Sequence, residues 1–97
     1  MDSEIKEQDL MIRLLTALWP EVKIYLFGSR ARGTHTERSD IDLALDLGRK
    51  MTIRELYRAK TVLEALNTPQ PIDVVDMYHI SDDMKKIILR EGTVWKQ

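Results

Sequence analysis

Three aspartates are the residues whose types and spacing best suit chemistry: Asp40 and Asp42, two positions apart, and Asp73 further along the chain. Residues i and i+2 of a strand point the same way, with side-chain origins roughly 6 to 7 Å apart. Carboxylates at that separation can share one divalent ion or flank a pair of ions, and without a cation they repel each other. Because the donors are hard oxygens and the chain has no cysteine, the pattern favours Mg²⁺ or Mn²⁺, with Asp73 contributed by a neighbouring strand.

Aspartates on a strand can also be solvated residues on the wet face of a sheet. We prefer that interpretation for Asp46 and Asp76. For Asp40 and Asp42 taken alone, the pattern leaves both interpretations open. Other features of the sequence must therefore decide whether these carboxylates form a site.

A second candidate feature is the pair Gly28 and Ser29 at the end of a predicted strand. Gly28 permits a tight turn, and Ser29 would begin a short helical segment whose backbone N–H groups and hydroxyl can bind an anion. Arg30 and Arg32 follow in the same segment and could neutralise phosphate charge. The alternative is an ordinary strand-to-helix turn whose serine is a helix cap, and the pair alone does not choose between them.

The elements that must position these residues can be predicted from hydrophobic periodicity. Alternation predicts strands, most clearly over Ile41–Leu47, where every second residue is Ile or Leu. Apolar residues at helical spacing, together with capping residues and a following Pro or Gly, predict helices. The predicted order is helix 4–18, strand 22–27, short helix 29–33, strand 40–47, helix 52–66, strand 71–77 and helix 81–92.

This order predicts an α+β fold, a two-layer arrangement in which a small mixed β-sheet is covered on one face by helices. The directions of the strands are left open. Val94 and Trp95 are expected to fold back onto the core. No linker or internal repeat interrupts the 97 residues, so we expect a single domain over residues 1–97.

Composition narrows the class of function. The net charge of −1 argues against a general nucleic-acid-binding protein, which usually carries a basic excess. A few arginines are nevertheless enough to bind one triphosphate. No apolar run nears the roughly 18 residues that a membrane span needs, and the acidic N-terminus lacks the pattern of a signal peptide. We therefore expect a cytoplasmic protein.

The two candidate features together form a specific motif. The pair Gly28-Ser29 is followed, after ten residues, by Asp40-Ile41-Asp42. This spacing resembles the signature of the nucleotidyltransferase superfamily that includes DNA polymerase beta. Two segments resemble those of the MNT group, the minimal nucleotidyltransferases: GSRARG at residues 28–33 and SDIDL at residues 39–43. The resemblance covers essentially the whole chain and implies the nucleotidyltransferase fold.

The resemblance also implies a role for each motif residue. Ser29 and the backbone at Gly28 would hold the β- and γ-phosphates of a nucleoside triphosphate. Asp40, Asp42 and Asp73 would bind Mg²⁺, two ions in all, and Asp73 would help to remove the proton of the attacking hydroxyl. The reaction would be in-line attack on the α-phosphate with pyrophosphate as leaving group.

A biological setting follows from the same resemblance. MNT proteins act as antitoxins beside HEPN-domain ribonuclease toxins, transferring AMP from ATP to a tyrosine of the toxin and so silencing it. We therefore expect a hetero-oligomeric complex with a HEPN toxin, no membrane binding and no direct nucleic-acid binding. Two alternatives stay open: a nucleotidyltransferase for a small molecule or RNA end that uses a partner subunit, and a non-catalytic antitoxin that acts by binding.

Overall fold

A computed structural model describes residues 5–97 of the chain. The helices in this range are Gln8–Leu18 (α1), Ser29–Arg32 (α2), Ile53–Glu64 (α3) and Asp82–Glu91 (α4). The strands are Lys23–Phe27 (β1), Ile41–Asp46 (β2), Ile72–Asp76 (β3) and Thr93–Lys96 (β4). Among these described residues, no helix is long and apolar enough to cross a membrane.

The four strands form one mixed sheet in the order β3-β2-β1-β4. β1 runs antiparallel to both β2 and β4, whereas β2 and β3 run parallel. A parallel pair needs a crossover connection between its strands, and α3 supplies it. The register places Asp42 opposite Phe27 on β1 and opposite Asp73 on β3. The predicted order of elements and the small mixed sheet are therefore confirmed.

One face of the sheet carries the main hydrophobic core, formed by β2, α1 and α3. The buried residues of these elements are Ile41, Leu43 and Leu45 on β2, Met11 and Leu15 on α1, and Ala59 and Leu63 on α3. A spacing of four residues puts each helical pair on one side of its helix. The predicted capping box begins α3: Thr52 Oγ1 accepts from the Glu55 N–H, and Glu55 Oε1 accepts from the Thr52 N–H. Sequence periodicity thus accounts for this face.

The opposite face is covered in part by α4, so helices pack on both faces of the sheet and not on one as predicted. Ile88 of α4 is fully buried against Ala44 of β2 and Met77. Ala44 shares its face with Asp42, because residues two apart on a strand point the same way. The apolar part of this face therefore contacts α4, while the part that carries Asp42 and Asp73 stays accessible to solvent.

Two boundaries near the ends of the chain differ from the prediction. Residues 5–7 are not helical, because Ile5 is buried in the core and the chain turns there, with the Gln8 N–H donating to the Ile5 carbonyl at 3.0 Å. The predicted start at residue 4 lies outside the described residues. Near the other end β4 is an unpredicted strand. Trp95 packs on the core as expected, but Val94 is 46% exposed.

Asp76 is buried, and its interpretation as a solvated residue is wrong. Its side chain is only 3% exposed. The carboxylate accepts hydrogen bonds from the backbone N–H groups of Met51 at 2.7 Å and Tyr78 at 3.0 Å. Alternation along β3 places Asp76 on the same face as the buried Val74. Asp76 therefore joins the segment before α3 to the end of β3.

Candidate active site

Gly28 joins β1 to α2 in a conformation that suits only glycine. Its φ and ψ angles are 78° and −156°, a region nearly closed to residues with a Cβ atom. A Cβ atom at this position would also overlap Oδ2 of Asp42. The carboxylate of Asp42 therefore lies directly against the backbone of the turn.

Ser29 begins α2, and the turn around it is fixed by backbone hydrogen bonds. The Gly28 carbonyl accepts from the N–H groups of Ala31 and Arg32, and the Ser29 carbonyl accepts from the Thr34 N–H at 3.0 Å. The first N–H groups of a helix have no acceptor within the helix. Together with the half-buried Ser29 side chain, this arrangement suits a small anion.

Asp42 lies close to two other carboxylates. It stands opposite Asp73 in the parallel pair of β2 and β3, and Asp40 comes immediately before β2. Burial raises the pKa of the Asp42 carboxyl, the negative charges of Asp73 and Asp40 raise it further, and the positive charge of Arg32 opposes them. The structure thus brings together the three predicted aspartates and one of the two predicted arginines.

The three carboxylates supply the oxygen donors that Mg²⁺ prefers, but they do not enclose an ion. Within residues 5–97, no group of three or more His, Cys, Asp or Glu side chains is arranged to hold a metal ion by itself. Asp40 and Asp73 are exposed and Asp42 is half-buried. Mg²⁺ usually keeps several waters and is bound by one or two carboxylates together with substrate phosphates. An open set of carboxylates fits that way of binding.

Arg30 is buried and bonds to the protein's own backbone. Its side chain is buried, only 6% exposed. The guanidinium donates to three backbone carbonyls of the loop that leads to Asp40: Nε to Ser39 at 3.3 Å, and Nη2 to Thr36 and to Glu37, both at 3.4 Å. The loop therefore engages Nε and Nη2 of the guanidinium. The nucleotide-binding role of Arg30 stays a prediction, whereas Arg32 is exposed and can meet phosphate from solvent.

A groove of about 1040 Å³ is lined in part by this same loop, including Thr36 and Glu37, and by the segment before β3, including Gln70 and Pro71. None of the three aspartates of the site lines it. The aspartates, and not this groove, are the candidate site, because there the grouped carboxylates lie against the Gly28 turn.

Residues 20–96 match the family model described as polymerase beta, nucleotidyltransferase. The chain belongs to this nucleotidyltransferase family. Among curated relatives in the family, the probable protein adenylyltransferase MntA of Haemophilus influenzae is 30% identical over 87 residues, which are 88% of this chain and 76% of that protein.

Solved structures of toxin–antitoxin proteins share the fold. A toxin–antitoxin crystal structure with AMP-PNP superposes with a TM-score of 0.76 and 28% identity, covering 91% of this chain and 71% of that one. A mutant of the MntA–HpeT toxin–antitoxin superposes with a TM-score of 0.74 and 28% identity, covering 94% of this chain and 72% of that one. The structure of the tri-AMPylated Shewanella oneidensis HEPN toxin in complex with MNT antitoxin superposes with a TM-score of 0.71 and 24% identity, covering 92% of this chain and 68% of that one. This similarity concerns the fold alone.

Proposed function

We propose that this chain is a protein adenylyltransferase that moves AMP from ATP to a tyrosine hydroxyl of a HEPN-domain toxin and so acts as its antitoxin. The observation that carries the proposal is the contact between the Gly28 turn and Asp42, which itself stands opposite Asp73. An anion-binding turn held against grouped carboxylates is what transfer from a nucleoside triphosphate requires. The adenylyltransferase relative and the toxin–antitoxin structure with AMP-PNP support ATP as donor and a toxin as partner.

The turn residues bind the triphosphate in this proposal. The backbone at Gly28 and the hydroxyl of Ser29 hold the β- and γ-phosphates, as the start of a helix suits negative charge. Arg32 neutralises part of that charge from the exposed end of α2. These contacts orient the α-phosphate toward the carboxylates, and such positioning supplies a large part of the rate.

The carboxylates hold Mg²⁺ and receive the proton. Asp40, Asp42 and Asp73 are the proposed ligands of two ions, which when bound offset the charge that builds up on the phosphates. The acceptor oxygen forms a bond to the α-phosphorus, and the bond from that phosphorus to the bridging oxygen breaks, so that pyrophosphate leaves with the electron pair. The hydroxyl proton passes to Asp73, the exposed carboxylate on β3.

The acceptor hydroxyl comes from a second protein. Asp73 and Asp40 are exposed, so a tyrosine on a partner surface can approach them from solvent. We propose that the toxin supplies this tyrosine within a hetero-oligomeric complex located in the cytoplasm. The toxin–antitoxin assembly of the relatives supports a complex of this kind.

The decisive experiment incubates the purified chain with labelled ATP, Mg²⁺ and the protein encoded beside it. We expect label on a tyrosine of that partner, and none with Asp42→Asn, because the substitution removes one negative charge from the carboxylate group. Asp46→Asn is the matched control. Asp46 lies on the same strand but its side chain accepts only a local N–H bond from Gly48, so this variant should transfer AMP normally.

The remaining outcomes separate the alternatives. Both variants should still bind the partner in a pull-down. Equal neutralisation of the toxin by wild type and Asp42→Asn would favour an antitoxin that acts by binding alone. Label on RNA or on a small molecule in place of protein would favour the other alternative, and transfer that survives full chelation by EDTA would refute the metal requirement.

A further inference from the structure

We propose that Arg30 is a positioning residue that fixes the backbone of Asp40 and so sets the direction of its carboxylate. The consequence for catalysis rests on the proposed function, whereas the structural part does not. The guanidinium of Arg30 is buried behind the segment of residues 36–39, which we call the 36–39 loop, and donates to three of its carbonyls. The last of these carbonyls, that of Ser39, belongs to the peptide unit that enters Asp40.

The peptide units on both sides of Asp40 are held by hydrogen bonds. On the entering side, Arg30 Nε donates to the Ser39 carbonyl at 3.3 Å. On the leaving side, the Ile41 N–H donates to the Pro71 carbonyl at 2.9 Å, just before β3 begins. Since Asp40 itself is exposed, packing of its side chain cannot orient it. The two flanking peptide planes therefore set the direction of its Cα–Cβ bond, from which the carboxylate extends.

The 36–39 loop depends on Arg30 because little else connects it to α2. Thr36, Glu37 and Arg38 are exposed, so the loop has little apolar burial. Its internal bonds, among them those from the Thr36 N–H to Ser39 Oγ at 2.9 Å and from the Ser39 N–H to the Thr36 carbonyl at 3.1 Å, close a turn but do not tie it to other elements. Gln70 Nε2 donates to the Glu37 carbonyl at 3.1 Å and ties the loop toward β3. Arg30 supplies the side-chain tie toward α2.

The chemistry of the guanidinium matters as well as its charge. A planar group with five N–H donors can bind several carbonyls at once, whereas a lysine ammonium at the end of a flexible stem cannot reproduce that fork. Arg30→Lys therefore keeps the positive charge and loses the geometry. That substitution separates positioning of the loop from a simple electrostatic effect on phosphate.

The test compares Arg30→Lys with wild type and with Arg58→Lys, an exposed arginine on α3 as matched control. Three measurements are made: kinetics of AMP transfer (kcat and the KM for ATP), amide hydrogen exchange of residues 36–41, and Mn²⁺ binding with a non-hydrolysable ATP analogue but without partner. We expect kcat to fall by about tenfold or more, with little change in the KM for ATP, together with faster exchange and weaker Mn²⁺ binding. Arg58→Lys should match wild type throughout.

Two results would overturn the proposal. One is an Arg30→Lys variant with wild-type exchange and Mn²⁺ binding. The other is a variant with unchanged kcat and a raised KM for ATP, which would indicate phosphate binding. If the wild type transfers no AMP, the proposed function fails. Hydrogen exchange and Mn²⁺ binding then still test whether Arg30 positions the 36–39 loop. Should the variant not fold, wild-type NMR decides, because a rapidly exchanging Arg30 Nε–H would contradict its bond to Ser39.

Discussion

At the scale of single residues, the backbone of Gly28 lies so close to the carboxylate of Asp42 that an added Cβ atom would overlap Oδ2. The turn can approach the carboxylate only because no Cβ atom stands between them. The turn proposed to bind phosphate and the carboxylate proposed to bind metal therefore lie directly against each other. A change at either residue is expected to disturb the other.

Gly28→Ala should destabilise the protein and abolish most of its transfer activity. A Cβ atom would meet Asp42, and the φ of 78° is itself unfavourable for alanine. Displacing the carboxylate by about 1 Å can lower the rate about a hundredfold. The matched control is Gly48→Ala, at φ 76° with no atom within 4 Å of the added Cβ. It should cost about 1 to 2 kcal/mol of unfolding free energy and keep its activity. Equal activities of the two variants would contradict the importance of the contact.

The sequence could predict the aspartates of the site but not the partners of Arg30. Period-two spacing assigns Asp40 and Asp42 to one face of a strand, and strand pairing then brings Asp73 beside them. The partners of Arg30 are backbone carbonyls of an irregular loop, whose directions depend on loop conformation and not on residue type. An arginine between a glycine-serine turn and an aspartate motif therefore suggested phosphate, although its donors point to the chain.

At the scale of elements, two carboxylates accept hydrogen bonds from two successive backbone N–H groups just before α3 begins. Asp76 accepts from the Met51 N–H and Glu55 accepts from the Thr52 N–H. Arg49 pairs with Glu55 through two N–H donors at 2.9 and 2.8 Å. The start of the crossover helix is thus tied both to its own first turn and to the end of β3.

Asp76→Ala should lower the unfolding free energy by about 3 kcal/mol, because it leaves the buried Met51 N–H without its acceptor and weakens the turn at Tyr78. Asp46→Ala is the control, since its carboxylate accepts from an exposed N–H at Gly48, and it should cost less than about 1 kcal/mol. Urea denaturation of both variants measures the difference. Similar midpoints would mean that burial of Asp76 contributes little.

Glu55→Gln should reveal a pH-dependent part of the stability. The hydrogen bond from Arg49 and that from the Thr52 backbone lower the pKa of Glu55 from 4.5 to about 2. A lowered folded-state pKa contributes stability above the unfolded-state value, and this contribution is lost as pH falls toward the folded-state value. Glutamine keeps the acceptor for Thr52 but not the charge.

The measurement compares urea midpoints of wild type and Glu55→Gln from about pH 6 to about pH 2. The wild type should be slightly more stable at the upper end, since the ion pair is exposed, and the gap should close as pH falls from 4.5 toward about 2. Other carboxylates titrate in both proteins and cancel in the comparison. A difference in stability between the two proteins that stays constant over this pH range would show that the charge of Glu55 does not contribute to stability.

At the scale of the whole molecule, sequence periodicity predicted the order of the elements. It did not predict that α4 packs on the second face of the sheet or that β4 is its fourth strand. Ala44 and Val75 interrupt the polar face of the sheet with apolar side chains, and Ile88 packs there. Asp76 lies two residues after the buried Val74 on β3, so the alternation of the strand could have predicted that Asp76 is buried too. The four residues of β4 follow Gly92 directly, and so short a strand leaves no periodicity to detect, although Thr, Val and Trp favour strands.

The pairing of β1 with β4 has a consequence for the order in which the chain can be completed during synthesis. Tyr25 pairs with Val94, and Leu26 with Thr93, so one edge of β1 stays unpaired until residues 93–96 have left the ribosome. β1 is translated first of the four strands, whereas its second neighbour, β4, is translated after the other three. Contacts between distant parts of a chain form slowly, so the nascent protein exposes this edge while it waits. A chaperone that binds extended apolar strands would find its target in Ile24–Phe27 during that interval.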